Sequence, residues 1–211
     1  MIYKLSEGML ESIKIFTLTL LFSLPLGLFV AFGRMSKNWI LKNFTKLYIS
    51  IMRGTPLILQ LMMIYFGPFY IFGINLPRGY RFFAVIIGFV INYAAYFAEI
   101  YRGGIESIAI GQYEAAKVLG YSRAHTFIKI ILPQVIKRIL PSITNEVITL
   151  IKDTSLAFAI SHSEMFTVAK AISAAQTTMT PFLVAGIFYY VFNFIVAFMM
   201  EWLEEKLGYY R

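Results

Sequence analysis

Four stretches of this chain are apolar over membrane-spanning lengths and carry no charged residue: Ile15 to Gly33, Gly54 to Pro77, Phe82 to Ala98 and Pro181 to Met200. A bilayer core is crossed by roughly 20 predominantly apolar helical residues. A fifth stretch, Ile139 to Ile160, is apolar but interrupted by Glu146, Lys152 and Asp153. It spans only if its polar side faces protein. The length rule therefore predicts about five helices, over residues 12–34, 47–68, 81–103, 139–160 and 181–203 of a single transmembrane unit, 1–211. Gly67-Pro68 is expected to end the second helix midway and leave an outer loop. Pro25 and Pro141 are expected to kink helices that packing must then accommodate.

Composition agrees. Charged residues make up 14% of the chain, against about a quarter in soluble domains. There is no cysteine, so neither a disulfide framework nor a thiolate metal site can form. A net charge of +8 would suggest nucleic acid in a soluble protein. Here its distribution around the spans is more informative, and no nucleic-acid partner is expected. Glu7 and Glu11 precede the first apolar run, and no clean small-residue cleavage site follows it, so that run reads as a retained span rather than a signal peptide.

Lysine and arginine set the orientation. The loop after the first span holds Arg34, Lys37, Lys42 and Lys46, with Arg53 close by. On the same side lie Arg102, Lys117, Arg123, Lys129, Lys137 and Arg138, then Lys206 and Arg211 of the tail. The opposite side has Lys4, Lys14, Arg78, Arg81 and Lys170. The richer side is expected to be cytoplasmic, with the N-terminus outside and the C-terminus inside.

The expected cytoplasmic loop, residues 104–134, contains "YEAAKVLGYSRAHTFIKIILPQ" at 113–134. Tyr113 to Leu119 read as a short helix rich in strong helix formers. Gly120 suits the left-handed residue that ends it, and Ser122 suits the N-cap of the next helix. Phe127, Ile128, Ile131 and Leu132 recur at helical spacing, and Pro133 is expected to break or kink that helix. Such a hairpin either anchors a loop at the interface or docks a partner. The residues alone leave both open.

Glu114-Ala115-Ala116, a glycine four residues later at Gly120, and Ile130-x-Leu132-Pro133 resemble the EAA loop of ABC-importer permeases. "MRGTPLILQLMMIYFG" at 52–67, "YFAEIYRGGIESIAIGQYEAA" at 96–116 and "IKDTSLAF" at 151–158 resemble its polar-amino-acid branch. The resemblance covers nearly the whole chain. It implies an all-α membrane fold of the type I importer permease kind, with Tyr113, Glu114, Ala115, Ala116, Lys117, Leu119, Gly120 and Arg123 on a coupling helix that seats in an ATPase groove. The implied partners are two cytoplasmic ATP-binding subunits, a second copy or related permease subunit, and an extracytoplasmic amino-acid-binding protein, with lipid around them. The chain carries no G-x-x-x-x-G-K-[ST] and no HExxH, and His125 and His162 stand apart. ATP and Mg are thus expected on the partner ATPase, and no cofactor, metal or catalytic residue on this chain.

Polar residues inside spans mark the candidate path, because each costs roughly 2.5–3.5 kcal/mol to insert when charged. Asn92, Tyr96 and Glu99 share a helix face with Tyr93 nearby. They form either a polar wall or an inter-helix clamp ending in a carboxylate near Arg102. Gln60 is either helix–helix glue or path lining. Asp153 is either structural, since the resembling family shares Lys-Asp-Thr-Ser-Leu across different substrates, or selective. Thr154 and Ser155 offer hydroxyls or freed backbone to an amino acid's α-groups. Ser161 and Glu164 lie near the outer end, where Glu164 is either a partner for a cationic group or a solvated loop charge. The carboxylates lean toward arginine, lysine or histidine as substrate, with glutamine, glutamate or another neutral polar amino acid as the alternative. An ATP-independent channel or ion-coupled transporter would also explain the spans but not the docking hairpin. A membrane enzyme would need a nucleophile–base or metal-ligand spacing, and none is evident.

Overall fold

A computed structural model of the chain describes residues 1–77 and 79–207. Arg78 and Arg211, counted above in the charge asymmetry, lie outside them. The fold is all-helical: α1 Ile2–Arg34, α2 Trp39–Gly54, α3 Leu57–Phe72, α4 Tyr80–Glu106, α5 Ile110–Val118, α6 Arg123–His125, a π-helical turn Thr126–Ile131, α7 Leu132–Asp153, a 3-10 turn Thr154–Ile160, α8 Met165–Gln176 and α9 Thr180–Leu207.

Among the described residues three helices, α1, α4 and α9, are long and apolar enough to cross a membrane, and a fourth if α2 and α3 count as one broken span. The stretch at 139–160 does not qualify by composition, because Glu146, Lys152 and Asp153 fall within it. The helix α4 is central: 61% of its most apolar segment is buried, against 11% for α9. Phe89, Tyr93 and Phe97 of α4 meet Ile15 of α1, Leu61 of α3, and Leu150 and Ile151 of α7 in the main core. Close packing of α1 on α4 needs glycine at Gly27, where a Cβ would lie 2.9 Å from Phe97 Cβ and 3.1 Å from the Ala94 carbonyl. The helix α9 exposes Leu183, Ile187, Phe194 and Phe198. In water such a face would aggregate, whereas lipid satisfies it.

The second predicted span differs most from expectation. It is two helices that meet at 107°. The bend falls at Thr55-Pro56, where Pro56 cannot continue the ladder and adopts an extended conformation. The helix α2 runs obliquely from Gly33 of α1, which packs on Thr45, to the middle of α4, where the Tyr48 hydroxyl donates to the Ile91 carbonyl. Gly67-Pro68 does not stop α3. The helix continues through Pro68 to Phe72 and ends on left-handed Gly73; the Ile64 carbonyl, which Pro68 has no N–H to bond, accepts instead from the Tyr80 hydroxyl at 3.0 Å. Pro133 also fails to break its helix. It sits in the first turn of α7, a position proline tolerates, directly after the π turn.

Candidate functional site

The break between α2 and α3, at exposed Gly54, Thr55 and Pro56, leaves backbone carbonyls without helical partners. Buried Gln60 and Asn92 satisfy them. Gln60 Nε2 lies 3.0 Å from Met52 O, 3.2 Å from Thr55 O and 2.8 Å from Thr55 Oγ1. Asn92 Nδ2 donates to Met52 O at 3.0 Å and to Gln60 Oε1 at 3.0 Å. Of the two readings of Gln60, the geometry fits helix–helix glue. Non-helical backbone at this depth requires such partners.

Beside this clamp, toward the expected cytoplasmic end, a cavity of about 620 Å³ opens between the end of α2, α4 and α7. Its charged lining is Arg53, Glu99, Arg138 and Glu146. Two of these are occupied. Glu99 Oε2 accepts from Arg102 Nη2 at 2.6 Å and faces Arg34 at 4.0 Å. Arg138 donates to the Ser107 carbonyl and hydroxyl. Arg53 instead lies over the Tyr96 ring, 5.2 Å from its centroid. Neither Arg53 nor half-buried Glu146 has an ion-pair partner among the described residues. The cavity thus holds Arg53 and Glu146 as opposite charges that act on each other without a direct ion pair.

Asp153 lies seven residues after Glu146 on α7, hence on the same face. Its Oδ2 accepts from the buried Tyr93 hydroxyl at 2.7 Å. The cavity thus gathers Tyr96 and Glu99, with Tyr93 and Asp153 paired two turns further in. The other candidates lie elsewhere. Thr154 is fully buried and its hydroxyl bonds back to Ile151 O at 2.7 Å, while Ser155 bonds back to Lys152 O at 2.7 Å. Both hydroxyls are engaged in the turn and do not reach outward. Ser161 has φ 57 and accepts from Arg81 Nη1 through its carbonyl at 3.0 Å.

Glu164 is neither solvated nor free, because it is fully buried and caps α8. Its carboxylate accepts from Phe166 N and Thr167 N at 2.7 Å each, from Thr167 Oγ1 at 2.8 Å and from the Tyr189 hydroxyl at 3.2 Å. Burial pushes its carboxyl above the usual range, and these donors oppose the shift. Glutamate is not among the residues favoured at an N-cap, so this cap gave no sequence signal. Glu146 and Arg53, absent from the sequence-derived path, carried one usable signal each: a charge inside an apolar stretch, and a charge immediately before a helix-breaking Gly-Thr-Pro.

The hairpin is formed much as its sequence suggests. The helix α5 covers 110–118, Gly120 is left-handed at φ 77, and Ser122 Oγ accepts from His125 N at 3.2 Å. The π turn shifts the register of the second helix, so Ile131 is buried while Ile128 is exposed. Of the coupling residues only Ala116 is buried. Tyr113, Glu114, Ala115, Lys117, Leu119, Gly120 and Arg123 all face outward, with Leu119 70% and Val118 87% exposed. That face is uncovered within the chain. Among the described residues no cluster of histidine, aspartate or glutamate could hold a metal ion.

The sequence pattern described as binding-protein-dependent transport system inner membrane component matches residues 23–209. The chain belongs to that family. This permease is 36% identical over 202 residues to a permease named for glutamine transport in Rickettsia bellii (strain RML369-C), covering 95% of this chain and 91% of that one. It is 35% identical over 202 residues to the arginine transport system permease protein ArtQ of Bacillus subtilis (strain 168), with the same 95% and 91% coverage. Its fold superposes with a TM-score of 0.88 on a solved amino acid ABC transporter with histidines, at 32% identity over 96% of this chain and 94% of that one. It is thus a multi-pass inner-membrane permease of an ABC amino acid importer, with the type I importer permease fold. Permeases of this family work with ATP-binding subunits and a substrate-binding protein.

Proposed function

We propose that this permease passes a cationic amino acid, arginine, lysine or histidine, through the cavity between α4 and α7. The observation that carries the reading is Arg53 and Glu146, which line the cavity without a direct ion pair among the described residues. Arg53 suits an α-carboxylate and Glu146 an α-ammonium or a cationic side chain, with Asp153 next along the same face of α7. A relative named for arginine transport and a solved neighbour with histidines support the cationic choice. A relative named for glutamine transport favours the neutral alternative.

In this reading two permease subunits enclose the path, since one set of about five helices encloses little volume. Two ATPase subunits dock on the α5 hairpins, ATP and Mg bind to them, and a binding protein delivers the amino acid from outside. The membrane order is N-terminus outside and C-terminus in the cytoplasm, with α7 and its 3-10 turn as the fourth of five spans. The α7 charges then face protein or the water-filled path rather than lipid. ATP binding draws the hairpins together and biases a bistable helix arrangement toward the outward-open state.

Glu146→Gln should raise the KM for arginine uptake about tenfold or more in the reconstituted importer, the loss expected for one charge-assisted hydrogen bond. Parent uptake should be competed by lysine or histidine and not by glutamine. Competition by glutamine alone, with an unchanged KM in Glu146→Gln, would move the reading to the neutral class.

A further inference from the structure

The helix α2 presents three faces. Thr45 and Ile49 are buried against α1 and α4. A second face carries Ile40, Phe44, Leu47 and Ile51, spaced four, three and four residues apart, hence one stripe. They are 71%, 70%, 59% and 47% exposed. The third face carries Trp39, 75% exposed, with Lys42 three and Lys46 seven residues further on, and Lys37 lies just before the helix, all exposed. Among the described residues none of the three lysines has a carboxylate within ion-pair distance.

An apolar stripe alone would say only that lipid tails lie beside it, as they do beside α9. Three unpaired lysines next to an exposed tryptophan say more. Tryptophan favours the level of the headgroups, and lysines at that level are attracted to an anionic leaflet. We propose that the corner formed by the end of α1 and the start of α2 binds anionic phospholipid headgroups through Lys37, Lys42 and Lys46, with Trp39 on the same face at headgroup level and the Ile40–Ile51 stripe on the other side of the helix turned to neighbouring acyl chains. This requires the corner to lie at a membrane surface and is independent of which surface, so it stands or falls separately from the substrate reading.

The chain has two tryptophans, so Trp202→Phe leaves Trp39 as the only fluorescent reporter. The full-length variant is placed in neutral-lipid nanodiscs with a small fraction of lipid brominated near the headgroup. Brominated phosphatidylglycerol should act at roughly one tenth or less of the mole fraction needed for brominated phosphatidylcholine. Adding Lys37→Gln, Lys42→Gln and Lys46→Gln should abolish that difference while leaving quenching by phosphatidylcholine intact. Equal quenching by the two lipids without these substitutions would overturn headgroup recognition. No quenching by either would show the face covered by protein, and would overturn the proposal as well.

Discussion

Replacing Gln60 with leucine should destabilise the permease sharply, although leucine is the more apolar residue and the site is buried. The side chain closes the break between α2 and α3. Without it the Thr55 carbonyl loses its Gln60 partner, and Asn92 loses the acceptor it holds at 3.0 Å. Each buried group left unpaired costs about 1–3 kcal/mol, and membrane-embedded backbone has no water to turn to. The expected result is a clear fall in melting temperature in detergent, together with lost uptake. Leu59→Ala, on an exposed apolar position of the same helix, should leave melting nearly unchanged. A Gln60→Leu chain that melts with the parent would show that the break is held by packing rather than by this clamp.

The second large effect is expected at Gly120. Its φ of 77 is costly for any residue with a Cβ, about 1–2 kcal/mol. Nothing lies within 4 Å of where that Cβ would sit, so bulk there meets no neighbour within the chain and projects onto the uncovered docking face. Gly120→Ala should therefore insert normally and keep part of its uptake. Gly120→Trp should insert equally well and reduce uptake to background, with loss of ATPase stimulation in the assembled complex. Normal uptake from Gly120→Trp would remove the hairpin from the coupling role.

Where sequence reasoning worked, the signal was local. Gly120, Ser122 and the alanines of α5 carry their backbone instructions within a few residues, and the structure follows them. Length and apolarity located α1, α4 and α9, since each is one uninterrupted helix. The failures share a cause: partners distant in sequence. The break at Thr55-Pro56 is readable as Gly-Thr-Pro, but its depth is not, because Asn92, 40 residues from Met52, sets it. Glu164 reads as a loop charge until the fold brings Tyr189, 25 residues on, against it. In the sequence Glu146 only interrupts a span. The fold places it in a cavity with Arg53, which charge counting assigns to a loop.

The most direct test of the importer reading is co-purification of the permease with its ATPase from detergent, followed by thermal melting of the complex against each of the twenty amino acids. A ligand present at 100 times its dissociation constant stabilises the folded state by about 2.7 kcal/mol, enough to shift the melt visibly. A stable complex whose melt rises with arginine, lysine or histidine, and not with glutamine, is the predicted result. Failure to form any complex, with amino acid flux through the permease alone, would contradict it.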